Sequence, residues 1–494
     1  MNFQNIPSNL RTPLFYAEFD NSQANTATAT QRTLIIGQML TNAAVLPNIP
    51  VIESSASNTA GIYGAGSMLH NQMTAYLAND ISGEIYLLPL VDGSSMVAAT
   101  GTITLTTAPS ETGVISLYVA GQRVQTTVLS TDTVTSMATA LTAAINATIA
   151  LPVTAASAAG VITLTAKNKG THGNSIDLRL NYLGSAGGEA TPDGLGITLT
   201  ALTGGVGAPD MTTALANLGD RTFDFIVTPY TDTTSLDALK NLLSDSTGRW
   251  SYAQQLYGHV FGAASGSYGQ LTTLGEARND QHATLLGVYD SPTPAYVWAA
   301  AVTGAVAGSL RNDPGRPLQT LTVSGVLAPP LASRFELTER NNLLYSGIST
   351  FTVADDSTVQ VENLITTYQT NKYGDADDSY LQVETLFLLM FVTRFIRTQI
   401  TSKFARMKLA ADGTRFAPGS AIVTPNIIRA ELIAQYTQLE YNGYVQDSKA
   451  FAAGLIVTKS TTNPNRVDVL WDGVLINQLR VFALLNQFRL QAAA

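Results

Sequence analysis

The sequence predicts an α/β core domain, built on a mixed sheet with packed helices, which is interrupted by an inserted β-rich domain and followed by an α+β C-terminal domain. The chain has 494 residues, more than one hydrophobic core can cover, so several domains are expected. Strand and helix patterns alternate in two separate stretches, 33–96 and 208–330. Residues 97–207 between them are rich in Thr, Ala, Val and Gly and form short strand patterns. This change of composition indicates an insertion in a surface loop.

The apolar residues of the two core stretches repeat at strand and helix periods. Residues 34–37 form an apolar strand, residues 66–80 a helix with one apolar face, and residues 84–88 a second strand, which predicts a parallel crossover unit. The second stretch resumes the alternation, with strands expected at 223–227, 256–261 and 284–289 and helices at 236–243 and 294–310.

One helix pattern interrupts the short strands of the insertion. Thr133 is expected to open this helix, and Met137, Leu141 and Ile145 recur at the spacing of a single helical face. Glycine-rich residues 204–207 mark the exit from the insertion. The pattern predicts a small β-rich domain with one packed helix.

Residues 331–475 differ again in pattern and predict the α+β C-terminal domain. The longest helical pattern covers 380–408, and a second one covers 426–441. Strand patterns at 451–459 and 466–471 flank a Thr-Thr-Asn-Pro-Asn sequence, which indicates a β-hairpin.

Both ends of the chain carry apolar strand patterns that stand apart from these domains. Residues 476–494 form a C-terminal arm that is apolar on both faces, and residues 1–32 form an N-terminal arm with a polar tether. Two explanations are open: the strands close the chain's own sheet, or they are exchanged with neighbouring subunits. The residues expected to make those contacts are Leu14, Phe15, Tyr16, Ala17 and Phe19 in the N-terminal arm and Val481, Phe482, Leu484, Leu485, Phe488 and Leu490 in the C-terminal arm.

Composition excludes several classes of function. The net charge of −9 argues against non-specific nucleic-acid binding, and the absence of cysteine excludes disulfides, thiolate metal sites and thiol nucleophiles. Only 13% of the residues are charged, against about 25% in ordinary soluble domains, which leaves more surface for protein partners. The first residues lack a signal-peptide pattern, and the longest apolar run, 386–392, is too short for a bilayer. We therefore expect a protein made in a cytoplasm, without membrane insertion.

No motif predicts a catalytic, cofactor-binding or metal site. Residues 61–67 resemble a phosphate loop before a helix but lack its lysine, so a glycine-rich helix entry is expected. Ser265 and Ser267 lie in a glycine-rich stretch without the pattern of a hydrolase nucleophile. The acidic residues within 375–378 are expected to favour the dipole of the following helix, with calcium ligation as the alternative. The histidines, expected to be structural because none pairs with another at a metal-binding spacing, are His70, His172, His259 and His282.

The second half of the longest helix carries an unbroken run of positive charge. No acidic residue occurs between 386 and 411. Two explanations are open: ordinary compensation of the helix dipole, or a basic face for an acidic partner protein. The residues of this basic face are Arg394, Arg397, Lys403 and Arg406.

Seven segments of the chain match stretches of one known family: 13–22, 66–69, 75–80, 84–90, 166–174, 477–482 and 487–490. The most specific are Pro-Leu-Phe-Tyr-Ala-Glu-Phe-Asp-Asn-Ser in the first and Ala-Lys-Asn-Lys-Gly-Thr-His-Gly-Asn in the fifth. Together they resemble the contractile tail sheath proteins of Mu-like bacteriophages over nearly the whole chain.

The resemblance implies a structural subunit, not an enzyme, that needs no cofactor. Sheath subunits stack as hexameric rings in a helical polymer around a tail tube, and contraction drives the tube through the bacterial envelope for genome ejection. Terminal arms would join neighbouring subunits in a shared sheet, the insertion would face outward, and the C-terminal domain with its basic face would lie against the tube.

The resemblance also implies partners and a location. The partners are further copies of the chain, the tail tube protein, and the baseplate and tail terminator proteins, with no direct contact to nucleic acid. The protein would be assembled in the host bacterial cytoplasm and act in the virion. Alternatives that stay open are the sheath of a tailocin or other contractile injection device, an α/β hydrolase, and a host-surface adhesin.

Overall fold

The computed structural model describes residues 31–490, apart from 42 and 44. Contacts divide the described chain into two compact units, and each is treated separately. The first unit holds Gln31–Val392, Leu439–Asp447 and residues 473–490, and the second holds Thr393–Gln438 and Ser448–Asp472.

The chain enters the first unit through two parallel strands joined by a helical crossover, as the alternating patterns predict. The elements are β1 (Thr33–Gln38), β2 (Val51–Ile52), α1 (Ala56–Tyr63), α2 (Met68–Leu77) and β3 (Ile85–Leu90). β1 pairs with β3 in parallel, and the short β2 pairs with β3 in the antiparallel direction. Ser67 caps α2, because its hydroxyl accepts a hydrogen bond from the His70 N–H at 3.1 Å.

The inserted segment forms two small antiparallel sheets and one helix around a hydrophobic cluster of its own. The elements are β4 (Thr100–Thr107), β5 (Gly113–Val119), β6 (Gln122–Val128), α3 (Val134–Ala147), β7 (Val153–Ala158), β8 (Val161–Ala166), β9 (Leu178–Leu180) and β10 (Gly196–Thr203). The sheet orders are β10-β4-β8-β7 and β6-β5-β9. Thr133 caps α3 through reciprocal hydrogen bonds with Ser136. Leu117, Leu141 and Leu164 are fully buried in the cluster.

The next stretch completes the central sheet. The elements are α4 (Thr212–Ala216), β11 (Phe225–Thr228), α5 (Thr233–Leu242), β12 (His259–Ser265), α6 (Tyr268–Glu276), β13 (Ala283–Val288) and α7 (Ala295–Asn312). The order is β13-β12-β11-β1-β3-β2, parallel except for β2. β12 begins later than the sequence predicts, because Tyr257 and Gly258 adopt positive φ values of 62° and 126°.

Residues 331–392 belong to the first unit, although their pattern assigned them to the C-terminal domain. The elements here are α8 (Leu337–Tyr345), β14 (Thr350–Val353), β15 (Val359–Asn363) and the start of α9 (Val383–Phe404). The physical reason is packing: Phe387 of α9 stacks on Phe225 of β11 with ring centroids 5.0 Å apart.

The remaining elements are β16 (Lys408–Leu409), β17 (Ile422–Val423), α10 (Pro425–Tyr441), β18 (Val445–Gln446), α11 (Ser448–Gly454), β19 (Ile456–Lys459), β20 (Val467–Leu470) and β21 (Val474–Leu475). β18 pairs with β21 within the first unit. In the second unit, Tyr436 stacks on Phe451 with centroids 3.8 Å apart, and Trp471 packs 5.7 Å from both rings. β19 and β20 form the expected hairpin.

Candidate assembly surfaces

The C-terminal arm, in the first unit, carries a run of exposed apolar side chains. Residues 476–489 form neither helix nor strand, so the strand expected there is not paired with any described part of the chain. Between 74% and 92% of each predicted contact residue is accessible, namely Val481, Phe482, Leu484, Leu485, Phe488 and Leu490. A contiguous apolar surface of this kind marks a site of interaction with another molecule.

The arm is fixed to the first unit at its base. The Ile476 N–H donates to the Tyr444 carbonyl at 3.2 Å, next to the β18–β21 pair. Gln319 Nε2 donates to the Leu479 carbonyl at 3.2 Å. Arg480 Nη2 then forms an ion pair with Glu384 Oε2 at 2.6 Å, and the Glu384 side chain is fully buried. The arm therefore leaves the fold at a defined point just after Arg480.

Sequence reasoning missed both members of that ion pair. Glu384 lies in the first turn of α9, and its other oxygen accepts from the Leu318 N–H at 2.7 Å. The signal available in the sequence was Arg480 itself, a charged residue directly before the apolar run 481–485. Its partner, almost a hundred positions earlier, could not be named from spacing.

The hairpin of the second unit offers open strand edges. Among the described residues, β19 and β20 pair only with each other. Ile456 and Leu470 are directly opposite in the register and are 51% and 58% exposed. A two-stranded sheet with exposed apolar residues is marginal alone and can accept an added strand.

The four residues of the predicted basic face differ in exposure and in ion pairing. Arg394 is half-buried, and Lys403 Nζ forms an ion pair with Glu431 Oε1 at 2.6 Å within the second unit. Arg397 and Arg406 are exposed and make no ion pair with a described residue. Two of the four therefore present charge to solvent without a partner in the described part of the chain.

The predicted N-terminal contacts lie outside the described residues, namely Leu14, Phe15, Tyr16, Ala17 and Phe19. The described chain begins at Gln31. Arg311 Nε donates to the Gln31 carbonyl at 3.1 Å, and Arg32 pairs with Glu84 at 2.6 Å. The start of β1 is thus held by charged groups.

Each histidine is held in the fold by burial or by a local hydrogen bond. His259 Nε2 is 2.8 Å from Thr284 Oγ1, and burial lowers the pKa of His259 well below its ordinary value. His282 contacts Asp245 at 2.8 Å. The Gly66 N–H donates to His70 Nδ1 at 3.1 Å, and burial lowers the pKa of His172 to about 4. Among the described residues, no cluster of three or more titratable ligands could hold a metal ion.

Side chains in the loops with weak catalytic patterns form local hydrogen bonds. Ser267 belongs to a capping box, since its N–H donates to Gln270 Oε1 at 2.9 Å. Asp377 accepts from Tyr368 Oη at 2.6 Å. The acids within 375–378 precede the long helix as expected, but α9 begins at Val383, three residues later than the pattern predicts.

The insertion closes the carboxyl end of β1, where open α/β sheets usually bind ligands. Asn168 Oδ1 accepts from the Met68 N–H at 2.9 Å, and its Nδ2 donates to the Met39 carbonyl at 3.0 Å. Gln38 Nε2 donates to the Lys169 carbonyl at 2.8 Å.

Within the described chain, no helix is long and apolar enough to cross a membrane.

Comparison with known proteins agrees with the resemblance. The family described as phage tail sheath protein central domain matches residues 204–367, and the phage tail sheath C-terminal domain matches residues 375–489. The Mu-like prophage FluMu tail sheath protein of Haemophilus influenzae is 43% identical over 490 residues, covering 99% of both chains.

Two solved structures match nearly the whole chain at low sequence identity. A structure of the anti-feeding prophage baseplate in the contracted state includes a chain with a TM-score of 0.50 and 11% identity, covering 98% of this chain and 100% of that chain. The crystal structure of a sheath tail protein from Desulfitobacterium hafniense gives a TM-score of 0.49 and 14% identity, covering 95% and 97%. By its full-length relative and both domain models, the chain belongs to the phage tail sheath protein family.

Proposed function

We propose that this chain is the repeating subunit of a contractile phage tail sheath, stacked as hexameric rings in a helical polymer around a tail tube. The observation that carries the proposal is the C-terminal arm, whose apolar side chains are exposed beyond Arg480. Contraction of the polymer would drive the tube through the bacterial envelope for genome ejection. The tail of a tailocin or another injection device is the second candidate, because the same surfaces serve both.

The arm contacts of the polymer are strand exchanges. We place the C-terminal arm of one subunit on an open edge of the β19–β20 hairpin of another, with the N-terminal arm joining the same network. One added strand forms about five backbone hydrogen bonds worth ~0.5–1.5 kcal/mol each. Each buried Leu or Phe side chain contributes about 1.5–3 kcal/mol more. The exposed Ile456 and Leu470 pair gives the added side chains an apolar surface.

The remaining surfaces follow the sheath architecture. The tube-proximal part is the second unit, Thr393–Gln438 with Ser448–Asp472, and Arg397 and Arg406 give it a basic face toward an acidic tube. Residues 97–207 form the outward domain, with residues 33–96 and 208–330 as the sheath core. Baseplate and tail terminator proteins cap the polymer in the virion.

The subunit acts without enzymatic chemistry. The carboxyl end of β1 is closed by Asn168 and Lys169, and the glycine-rich loop binds its own His70. The free energy for contraction is then stored in the subunit interfaces, which exchange partners as the polymer contracts. The extended polymer is kinetically trapped until that happens.

Removal of residues 481–494 tests the proposal. We expect the full chain to form tubes or rings in negative-stain images, and the truncated chain to remain a folded, soluble monomer with an unchanged thermal midpoint. Tubes formed equally well by the truncated chain would overturn the arm exchange. A full chain that stays monomeric at high concentration, alone and with its tube, would overturn the sheath function itself.

A further inference from the structure

The points at which the two arms leave the first unit are both held by buried charged groups. Gln31, at the end of the predicted N-terminal arm, is the first described residue, and Arg480 precedes the exposed part of the C-terminal arm. We call these two points the arm roots. Side chains of the core fix each of these roots.

Arg311, near the end of α7, fixes the N-terminal root. Its Nε donates to the Gln31 carbonyl and its Nη2 to Thr33 Oγ1, each at 3.1 Å, and its Nη1 forms an ion pair with Asp80. Tyr76 Oη donates to Asp80 Oδ2 at 2.7 Å. Asp80 and Tyr76 are buried, so the root cannot shift without leaving buried polar groups unpaired.

Glu384 fixes the C-terminal root in a similar way. Its two oxygens serve different segments: Oε2 pairs with Arg480 at 2.6 Å, and Oε1 accepts from the Leu318 N–H at 2.7 Å. Gln319, the residue after Leu318, donates to the Leu479 carbonyl at 3.2 Å. The root is therefore bound both to α9 and to the segment between α7 and α8.

Side chains that fix the two roots lie close to one aromatic ring of the central sheet, Phe225. The Arg311 guanidinium lies 5.2 Å from the ring centroid of Phe225 in β11. Phe387 stacks on the same ring with centroids 5.0 Å apart and planes at 17°. Phe387 follows Glu384 by three residues in α9, so both side chains lie on one helix face.

We infer that the two arm roots are mechanically coupled through Arg311, Phe225, Phe387 and Glu384, so that strain applied to one arm is transmitted across the core to the other. The inference rests on the proposed function of the arms. Arg311, Phe225 and Phe387 are linked by side-chain contacts, and one turn of α9 joins Phe387 to Glu384. Close-packed interiors transmit displacement because they have little free volume. A subunit pulled by one neighbour would then pull on the next instead of yielding at the root.

Hydrogen exchange on the full-length chain tests the coupling. The reporters are the Thr33 N–H, which donates to the Glu84 carbonyl at 2.9 Å, and the Ile476 N–H at the C-terminal root. Phe225→Leu removes the shared ring, and we expect exchange at both reporters to rise at least fivefold relative to amides of the insertion. The matched control is Phe223→Leu, a fully buried phenylalanine in the same region that contacts Tyr86 instead.

A second variant keeps the test informative if Phe225→Leu fails to fold. Glu384→Gln weakens only the C-terminal root, and coupling predicts faster exchange at Thr33 as well as at Ile476. A rise at Ile476 alone, or equal effects of Phe223→Leu and Phe225→Leu, would overturn the inference. These measurements use the unassembled chain, so they are independent of whether the arms are exchanged in a polymer.

Discussion

β1 and the C-terminal arm carry the same kind of sequence, apolar on both faces, in opposite environments. All six residues of β1 are buried between neighbouring strands and covering helices. The arm residues are more than two-thirds exposed, although Phe482 and Leu484 are as apolar as Leu34 and Ile36. The apolar pattern thus indicates that a segment must be buried, but it does not indicate whether its own chain or another chain buries it.

Proline substitution in each segment should give the largest difference between β1 and the C-terminal arm. Ile35→Pro removes a ladder donor inside the sheet and should abolish folding. Leu484→Pro should leave the thermal midpoint of the monomer unchanged and abolish tube formation in negative-stain images. Tubes formed by Leu484→Pro at wild-type concentration would show that the arm is not a strand in the polymer.

The ion pair at the base of the arm should have the next largest effect. Arg480→Met leaves the fully buried Glu384 carboxylate unpaired, which should lower the free energy of unfolding by about 3 kcal/mol. The control is Arg466→Met, whose pair with Asp468 is largely exposed and should contribute under about 1 kcal/mol. Equal urea midpoints for the two variants would contradict a buried anchor.

The attachment of the insertion to the core provides a third test. Asn168→Ala leaves the Met68 N–H and the Met39 carbonyl without their partner and should cost about 1–3 kcal/mol in urea unfolding. Asn146→Ala removes two similar hydrogen bonds to Ala155 at an exposed position, and its cost should be well below that. A smaller loss for Asn168→Ala than for Asn146→Ala would show that the Asn168 hydrogen bonds do not fix the insertion to the core.

The basic face should show a weaker, salt-dependent effect. Arg397→Glu with Arg406→Glu should reduce binding of the sheath to its tube several-fold at low salt and less at high salt, because exposed charges are screened. Arg415→Glu with Lys449→Glu, at other exposed positions of the second unit, is the charge-matched control. Co-sedimentation with the tube protein measures the difference, and binding by the Arg397→Glu, Arg406→Glu variant that equals wild-type binding at every salt concentration would support simple dipole compensation.

The smallest effect expected is on the acid stability of the N-terminal root. Burial alone would raise the pKa of Asp80, but hydrogen bonds from Arg311 and Tyr76 outweigh it and hold the pKa below its ordinary value of 3.8. A carboxylate with a lowered pKa stabilises the fold above that value, and the contribution is lost as the pH falls further. Urea midpoints between pH 5 and 3 should therefore fall less steeply for Asp80→Asn than for the wild-type chain.

Local patterns account for much of the fold. The apolar run of β1, the cap at Thr133 and the hairpin turn before β20 each depend on neighbours in sequence, and the structure contains all three. The start of β12 was misplaced because positive φ values at Tyr257 and Gly258 are not visible in an apolar pattern.

The sequence by itself determined which segments need cover: the strands of the core, the helix of the insertion and the arm beyond Arg480. Only the tertiary structure decided which distant residues meet, such as Arg480 with Glu384, or Arg311 and Phe387 at Phe225. The physical reason is that periodicity reports the local geometry of one element, whereas these contacts depend on how separate elements pack, over intervals to which no spacing rule applies.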